Sequence, residues 1–205
     1  MKRPVYIVFA GVNGAGKSTF YHTNFWKDPD VPHSLIRVNS DEIVVENKGD
    51  PHSGGDQFQA GREALRRIDA CLSQHKSFNQ ETTLTGRSCI KTIQRARESG
   101  FRIVLYYVGV ASPQLALERI AYRVSMGGHP IDEKAVRRRY AASLRNLSRV
   151  ISLCDEVTVL DNSVEFVALA RWTRGVLSWV GNIAKHGPWL MDAICDDDIW
   201  LGAKY

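Results

Sequence analysis

The chain alternates short apolar runs with amphipathic segments over most of its 205 residues. Residues 4–10 (PVYIVFA) are an unbroken apolar run rich in β-branched and aromatic side chains, which predicts a buried strand. Phe58, Leu65 and Ile68 share one face at helical spacing, which predicts a helix over residues 57–75. By the same criteria, further strands are predicted at residues 35–39, 77–81, 102–110 and 156–162. Further helices are predicted from about residue 17, over residues 88–100, 111–124 and 164–180, and from residue 133 through residue 151.

This alternation of strands and helices predicts an α/β fold with a parallel sheet and helices on both of its faces. No internal repeat, low-complexity tract or domain boundary interrupts the pattern, so residues 1–205 are predicted to form a single domain. Within that domain we expect a helical lid at about residues 119–149. We also expect a helical tail at about residues 164–205.

A glycine-rich loop with the pattern G-x-x-x-x-G-K-S follows the first predicted strand directly. Glycine lets backbone N–H groups approach phosphate oxygens, Lys17 neutralises the outer phosphates, and the hydroxyl of Ser18 reaches Mg²⁺. The helix that follows adds the partial positive charge of its N-terminus. The loop therefore predicts a nucleotide site in which Ser18 is the metal ligand. The predicted nucleotide-binding residues of the loop are Gly11, Asn13, Gly14, Ala15, Gly16, Lys17, Ser18 and Thr19.

Two carboxylates, Asp41 and Glu42, follow the second predicted strand in the segment VNSDEI. Ligands of an open parallel sheet bind beyond the carboxyl ends of its strands, so both lie near the γ-phosphate if this strand neighbours the first. Phosphoryl transfer to a hydroxyl needs a carboxylate that orients the nucleophile and accepts its proton. Asp41 is the candidate base, and the alternative is that it caps the next helix.

A second polar group, Glu81, Thr82 and Thr83, ends the third predicted strand. One carboxylate and two hydroxyls at a strand end suit a polyol or sugar, and they also suit a water-mediated contact with Mg²⁺. A plain turn is the remaining interpretation. No strand is followed by a lone metal-binding aspartate of the usual kind, and Asp161 is the nearest equivalent. Whether Asp41 or Glu81 assists Ser18 at the metal therefore stays open.

The net charge of +5 comes from one local cluster of basic residues. Residues 119–149 hold eight of the 27 Lys and Arg residues and two of the 22 acidic residues, which leaves the remainder near neutrality. Arg119 and Arg123 lie on one helix face, a Gly-rich connection follows, and three arginines open the next helix at 137–139. This arrangement predicts a lid that closes over phosphates, against the alternative of a solvated basic face. A local cluster also argues against a nucleic-acid partner.

Composition excludes several other classes of protein. No apolar run approaches the roughly 20 residues that span a bilayer, so no membrane association is expected. The apolar start leads into the phosphate loop and not into a cleavage site, which argues against a signal peptide. The four cysteines lie far apart and are expected to be reduced thiols. A cytoplasmic protein is therefore expected.

The motifs occur in an order that resembles the zeta-toxin-like P-loop kinases, and in particular their small, stand-alone bacterial branch. They are GVNGAGKST, VNSDEI, SFNQETTLTGR, SPQLALERIAYRVSMGGHPIDEKAVRRRY and LDNS, and together they cover residues 4–163. The resemblance implies a nucleotide-kinase-like fold and ATP as the phosphate donor. Better-known members phosphorylate the sugar 3′-hydroxyl of UDP-N-acetylglucosamine, and many pair with a small antitoxin protein.

Carried over to this chain, the resemblance implies a role for each matching residue. Lys17 and Ser18 would hold the phosphates and Mg²⁺, and Asp41 would be the catalytic base. Glu81 and Thr82 would contact the sugar. The lid arginines would be Arg123 with Arg138 or Arg139, and we expect Arg119 and Arg139 to bind the nucleotide.

Other functions stay open at this point. A kinase of this kind can act on another sugar, on an antibiotic or on a nucleic-acid 5′-hydroxyl. The chain can also be a regulatory module that binds a nucleoside triphosphate and transfers nothing. Against that module, the guanine motif N-K-x-D of switch GTPases is absent, since ENKG at residues 46–49 lacks the aspartate.

Overall fold

The computed structural model describes residues 3–27, 29–32 and 34–194, and these residues fold around one mixed sheet. Most predicted elements are found close to their predicted bounds. The strands are β1 (Val5–Ala10), β2 (Ile36–Val38), β3 (Phe78–Thr82), β4 (Arg102–Gly109), β5 (Glu156–Asp161), β6 (Val167–Thr173) and β7 (Val176–Val180). The helices are α1 (Lys17–Thr23), α2 (Ser40–Glu46), α3 (Gly54–Ser73), α4 (Arg87–Glu98), α5 (Pro113–Ser125), α6 (Glu133–Ile151), α7 (Ile183–His186) and α8 (Trp189–Ala193).

The strand order is β2-β3-β1-β4-β5-β6-β7, and the first five strands of that order are parallel. The chain leaves β1 towards β3 and β2 and later returns to β4 on the other side. The end of β1 is therefore the point where the winding direction changes, which is where open α/β sheets bind ligands. β1 is buried at every position, as its apolar run predicts, because helices cover both faces of the sheet.

The helix predicted over residues 164–180 is wrong, because this segment forms β6 and β7, which pair antiparallel at the edge of the sheet. The two strands are joined at Arg174 and Gly175, which both have positive φ, as a tight primed hairpin turn requires. Register shifts in both pairings break the two-residue alternation, so Leu169 and Ala170 are both buried. The helical tail predicted at 164–205 is likewise wrong over this part, and its residues 195–205 lie outside the described residues.

The remaining predictions about composition concern thiols and membranes. Cys71, Cys89 and Cys154 are free and buried, while Cys195 lies outside the described residues. Burial raises the pKa of the Cys89 thiol to about 11, so this thiol is not a nucleophile at neutral pH. None of the helices within the described residues has the length and apolar character to cross a membrane.

Candidate active site

The phosphate loop runs from the end of β1 to the start of α1 and depends on glycine at three positions with positive φ. Gly11 has a φ of 139°, and a Cβ there would lie 2.1 Å from the carbonyl oxygen of Val108 on β4. Gly16 directly precedes α1 with a φ of 94°, and a Cβ there would meet the side chain of Asn162. Non-glycine residues at these positions would be strained, so the motif is needed for the shape of the loop as well as for phosphate approach.

Lys17 is buried although it carries a charge. Its Nζ donates to the carbonyl oxygen of Val12 at 3.1 Å and lies 4.0 Å from the Glu81 carboxylate. Burial lowers the pKa of Lys17, while the Glu81 and Asp41 carboxylates raise it and the Arg123 guanidinium lowers it further. A buried ammonium with few direct partners is ready to exchange its carbonyl contact for a phosphate oxygen.

Glu81 is the centre of the polar network beside the loop. Its carboxylate accepts hydrogen bonds from Ser18 Oγ at 2.8 Å, from Arg37 Nη2 at 3.0 Å and from Asn39 Nδ2 at 3.2 Å. Arg37 also pairs with Glu42 and stacks over the Tyr21 ring, 3.6 Å from its centre. Glu42 is therefore tied to Arg37. No sequence pattern marks Arg37 or Asn39 as functional, because their roles depend on β2 lying beside β3.

The hydroxyl of Ser18 and the carboxylate of Glu81 form an oxygen-donor pair that fits Mg²⁺. This ion prefers hard oxygen ligands and usually keeps several waters and phosphate oxygens in its shell. Among the described residues, no group of three or more His, Cys, Asp or Glu side chains is arranged to hold a metal ion. A protein contribution of one or two oxygens is what a metal shared with a nucleotide requires.

Asp41 lies in the first turn of α2, and the helix cap is Asn39, whose side chain accepts from the Asp41 N–H at 3.0 Å. The alternative that Asp41 caps this helix is therefore wrong. Asp41 was predicted near the γ-phosphate on the condition that β2 neighbours β1. That condition is not met, because β3 lies between β2 and β1. The Asp41 carboxylate is exposed and makes no hydrogen bond or ion pair with the described residues, so it is free to accept a proton.

A cavity of about 750 Å³ joins the phosphate loop to Asp41 and extends beyond both. Its volume is that of a site for a drug-sized ligand, and it has room beyond the phosphates. Strand ends, α2, α3 and the loop before α6 form its walls. The lining residues that concern the predicted site are Asn13, Lys17, Asn39, Asp41, Glu81, Thr82, Thr83, His129, Asp132 and Arg139.

The four predicted arginines take different positions. Arg139 lines the cavity and donates to Asn13 Oδ1 in the phosphate loop at 3.0 Å. Arg119 donates to the carbonyl oxygen of Ser163 beyond β5. Arg123 is exposed and donates to the carbonyl oxygen of His129. Arg138 is exposed and lies outside the cavity lining, so the structure brings Arg139 alone of these four into the cavity.

Thr82 and Thr83 both line the cavity, and each hydroxyl has a local partner. Thr82 Oγ1 accepts from the Leu84 N–H at 3.1 Å, and Thr83 Oγ1 lies 3.0 Å from Thr85 Oγ1. Leu84 itself is fully buried with a positive φ of 55°, which marks a tight turn. The turn interpretation and the binding interpretation of this segment are thus compatible.

The segment after β5 supports the phosphate loop from the other side. Asn162 Nδ2 donates to the carbonyl oxygen of Ala15 at 2.8 Å. Asp161 is 4% exposed, and its carboxylate accepts from Trp189 Nε1, Ser163 Oγ and the Ser163 N–H, each at 2.8 Å. Asp161 thus links the segment after β5, through Ser163, to the C-terminal part of the chain, through Trp189. In the sequence it was the nearest equivalent of a lone metal-binding aspartate.

Substitution of Trp189 by phenylalanine is expected to lower the free energy of unfolding by about 1–3 kcal/mol, since Asp161 loses a hydrogen-bond donor inside the protein. Urea denaturation of the two proteins measures this difference. Trp179→Phe is the matched control, because Trp179 on β7 is 43% exposed. Equal stability of the two variants would contradict a structural role for the Trp189 indole.

Comparison with known families gives one match that covers most of the chain. Residues 7–147 match the family AAA_33, described as an AAA domain. An uncharacterized protein of Haemophilus influenzae is 36% identical over 135 residues, which are 65% of this chain and 91% of that protein.

Three solved structures share the fold at low identity. The PezAT chromosomal toxin–antitoxin system of Streptococcus pneumoniae gives a TM-score of 0.60 at 16% identity, over 82% of this chain and 71% of that chain. The AvrRxo1-ORF1:-ORF2 complex with ATP gives 0.63 at 17% identity, over 89% and 62%. The Pnkp1/Rnl/Hen1 RNA repair complex gives 0.57 at 17% identity, over 73% and 47%.

These matches agree with the site geometry and with the motif order. The fold expected from the resemblance to the zeta-toxin-like P-loop kinases is confirmed, as is the α/β class with its mostly parallel sheet. The chain belongs to the AAA_33 family of AAA domains and has a P-loop kinase-like fold.

Proposed function

We propose that this protein is an ATP-dependent kinase that transfers the γ-phosphoryl group to a hydroxyl of a small molecule, with UDP-N-acetylglucosamine as the first candidate. One observation carries the proposal: Lys17 of the phosphate loop and the unpartnered Asp41 carboxylate line the same cavity, and that cavity extends to a third wall on α3. That wall gives the cavity room for a second substrate beside the phosphates.

In the proposed step, a hydroxyl oxygen of the acceptor forms a bond to the γ-phosphorus of ATP. The bond between that phosphorus and the bridging oxygen breaks, and its electron pair leaves with ADP. Asp41 accepts the proton of the hydroxyl. Lys17 and Arg139 line the same cavity and would neutralise charge on the transferred group. The remaining arginines are proposed to bind phosphate, in the case of Arg123 and Arg138, and the nucleotide, in the case of Arg119.

ATP as the donor is supported by the phosphate loop and by the AvrRxo1 structure, which was solved with ATP. Ser18 and Glu81 are the residues proposed to hold Mg²⁺, directly or through water. When bound, this ion would neutralise negative charge on the phosphates of ATP. The PezAT toxin–antitoxin system among the similar folds supports a small protein antitoxin as the partner class.

The proposal is tested by incubating the purified protein with ATP and Mg²⁺ and a panel of hydroxyl acceptors, with products detected by mass. The panel contains UDP-N-acetylglucosamine, free sugars, hydroxyl-bearing antibiotics and a 5′-hydroxyl oligonucleotide. The expected result is one acceptor that gains a single phosphoryl group and fails to gain it with Asp41→Asn. ATP binding with no modified acceptor in the whole panel would favour the regulatory module.

A further inference from the structure

The third wall of the cavity is a face of α3 whose exposure increases from the core outwards. Ile68 is 1% exposed at the inner end, Ala64 is 9% exposed, Leu65 is 44% exposed and Phe58 is 68% exposed. All four line the cavity, and the stretch from Phe58 to Ile68 is about 15 Å long at the rise of an α-helix. The apolar face predicted from the sequence thus serves the core at one end and the cavity at the other.

Arg62 supplies the charge on this wall. It is the only charged side chain that α3 contributes to the cavity lining, and it shares a face with Phe58 and Leu65 at the i,i+4 and i,i+3 spacings. Within the described residues it makes no hydrogen bond or ion pair. Arg66 of the same helix, by contrast, lies outside the cavity lining and pairs with Glu63.

Gly61 leaves space at the middle of the wall. It lines the cavity, and a Cβ added there would meet no atom within 4 Å. Its backbone is helical without a positive φ, so larger residues are tolerated by the backbone and their side chains would extend into open space. Since glycine is the poorest helix former after proline, its presence here costs helix stability that an alanine would recover.

From these observations we infer that the α3 wall is the acceptor subsite, and that the acceptor carries an anionic group beside a planar or apolar ring. The guanidinium of Arg62 would hold the anion, a phosphate or a carboxylate, and the ring would pack on Phe58 and Leu65. The hydroxyl end of the acceptor would then reach Asp41. This inference rests on the proposed kinase function, because it assigns the second substrate of that reaction.

The chemistry of the wall favours this class over a neutral monosaccharide. An arginine binds a planar carboxylate or a phosphate through two parallel hydrogen bonds, which makes it selective for an anion. Aromatic and aliphatic side chains such as Phe58 and Leu65 gain from being covered by a flat ring. A wall of about 15 Å also exceeds what a single sugar ring covers.

Direct binding tests the subsite without relying on turnover. The phosphate loop is first saturated with a non-hydrolysable ATP analogue, so that an added anion cannot bind at Lys17. Ligands are then titrated by calorimetry in two series that each share one ring: UMP against uridine, and phenyl phosphate and benzoate against benzyl alcohol. We expect the charged members to bind about tenfold more tightly than their neutral partners. The phosphate and carboxylate members show which anion the subsite prefers.

Variants assign this difference to individual residues. Arg62→Ala is expected to remove the preference for charged ligands, and Arg66→Ala on the same helix to leave it unchanged. Gly61→Leu is expected to weaken the binding of charged and neutral ligands alike, because the leucine side chain fills the space. Gly61→Ala is the control for the change in helix stability. No preference for charged ligands in either series, or a preference that survives Arg62→Ala, would overturn the inference.

The two proposals fail in different ways. If an acceptor is phosphorylated with the same KM in Arg62→Ala as in the unchanged protein, the proposed kinase activity is supported and the proposed α3 subsite is contradicted. If charged ring compounds bind through Arg62 and no acceptor is ever phosphorylated, the α3 wall is supported as a ligand site and the proposed kinase activity is contradicted.

Discussion

Asp41→Asn is expected to lower kcat by about 10²–10⁴-fold, which is the usual contribution of a positioned general base. Asparagine keeps the shape of the side chain but accepts no proton at neutral pH. Because Asp41 makes no hydrogen bond or ion pair with the described residues, the change should leave the fold and the affinity for ATP nearly unaltered. Steady-state kinetics with the acceptor found in the panel, together with calorimetric ATP binding, measure both quantities.

Asp69→Asn is the matched control for Asp41→Asn. Asp69 is an exposed carboxylate on α3 that pairs with Arg95 and lies outside the cavity lining. Its substitution should leave kcat unchanged. A rate within about threefold of the unchanged protein for Asp41→Asn would contradict the role of Asp41 as base, since even weak general-base catalysis exceeds that factor.

Glu81→Gln is expected to lower the rate roughly a hundredfold at a fixed Mg²⁺ concentration, in line with the loss of a supporting group at a metal site. The carboxylate of Glu81 lies 2.8 Å from Ser18 Oγ, on the side of the phosphate loop. We therefore expect the Mg²⁺ concentration for half-maximal rate to rise, with the KM of the acceptor unchanged. Arg37 keeps its second partner, Glu42, so the fold should persist.

The opposite pattern in Glu81→Gln would support the role that the zeta-toxin resemblance implies. In that case the KM of the acceptor rises and the Mg²⁺ dependence stays the same, because Glu81 then contacts the sugar. Glu156→Gln is the control, since Glu156 is also a strand carboxylate paired with an arginine, Arg102, and lies at the start of β5, far along the sheet from the cavity. It should change neither quantity.

The sequence predicts the phosphate loop well because its chemistry is local. The glycines, Lys17 and Ser18 stand at fixed spacing on one short segment, and the adjoining strand and helix have clear patterns. The network around Glu81 is different. It depends on β2 pairing with β3, which brings Arg37 and Asn39 to a carboxylate more than 40 positions away. No local sequence pattern predicts that β2 pairs with β3.

The edge strands β6 and β7 show a second limit. The register shifts beside Leu160 and Trp172 disturb the alternation that identifies a strand, and the spacing that remains imitates a helix. A useful signal was nevertheless present, since Arg174-Gly175 between two apolar runs fits a two-residue hairpin turn. The tail residue Trp189 had no such signal, because its partner Asp161 is 28 positions away.

The α3 wall shows a third limit, since hydrophobic spacing identifies a face but not what the face contacts. Phe58 and Ile68 belong to one apolar pattern and both line the cavity, yet Phe58 is largely exposed and Ile68 is buried in the core. Only the position of α3 beside α2 and the strand ends separates these two environments.

The central claim, that the γ-phosphoryl group passes to a hydroxyl of a second molecule, is tested most directly by following that group itself. ATP labelled in its γ-phosphoryl group is mixed with the protein, Mg²⁺ and the acceptor from the panel, and the label is traced after less than one turnover. We expect the label to appear in the acceptor, at a rate that Asp41→Asn nearly abolishes. Label released only as inorganic phosphate, at a rate that no acceptor changes, would contradict it.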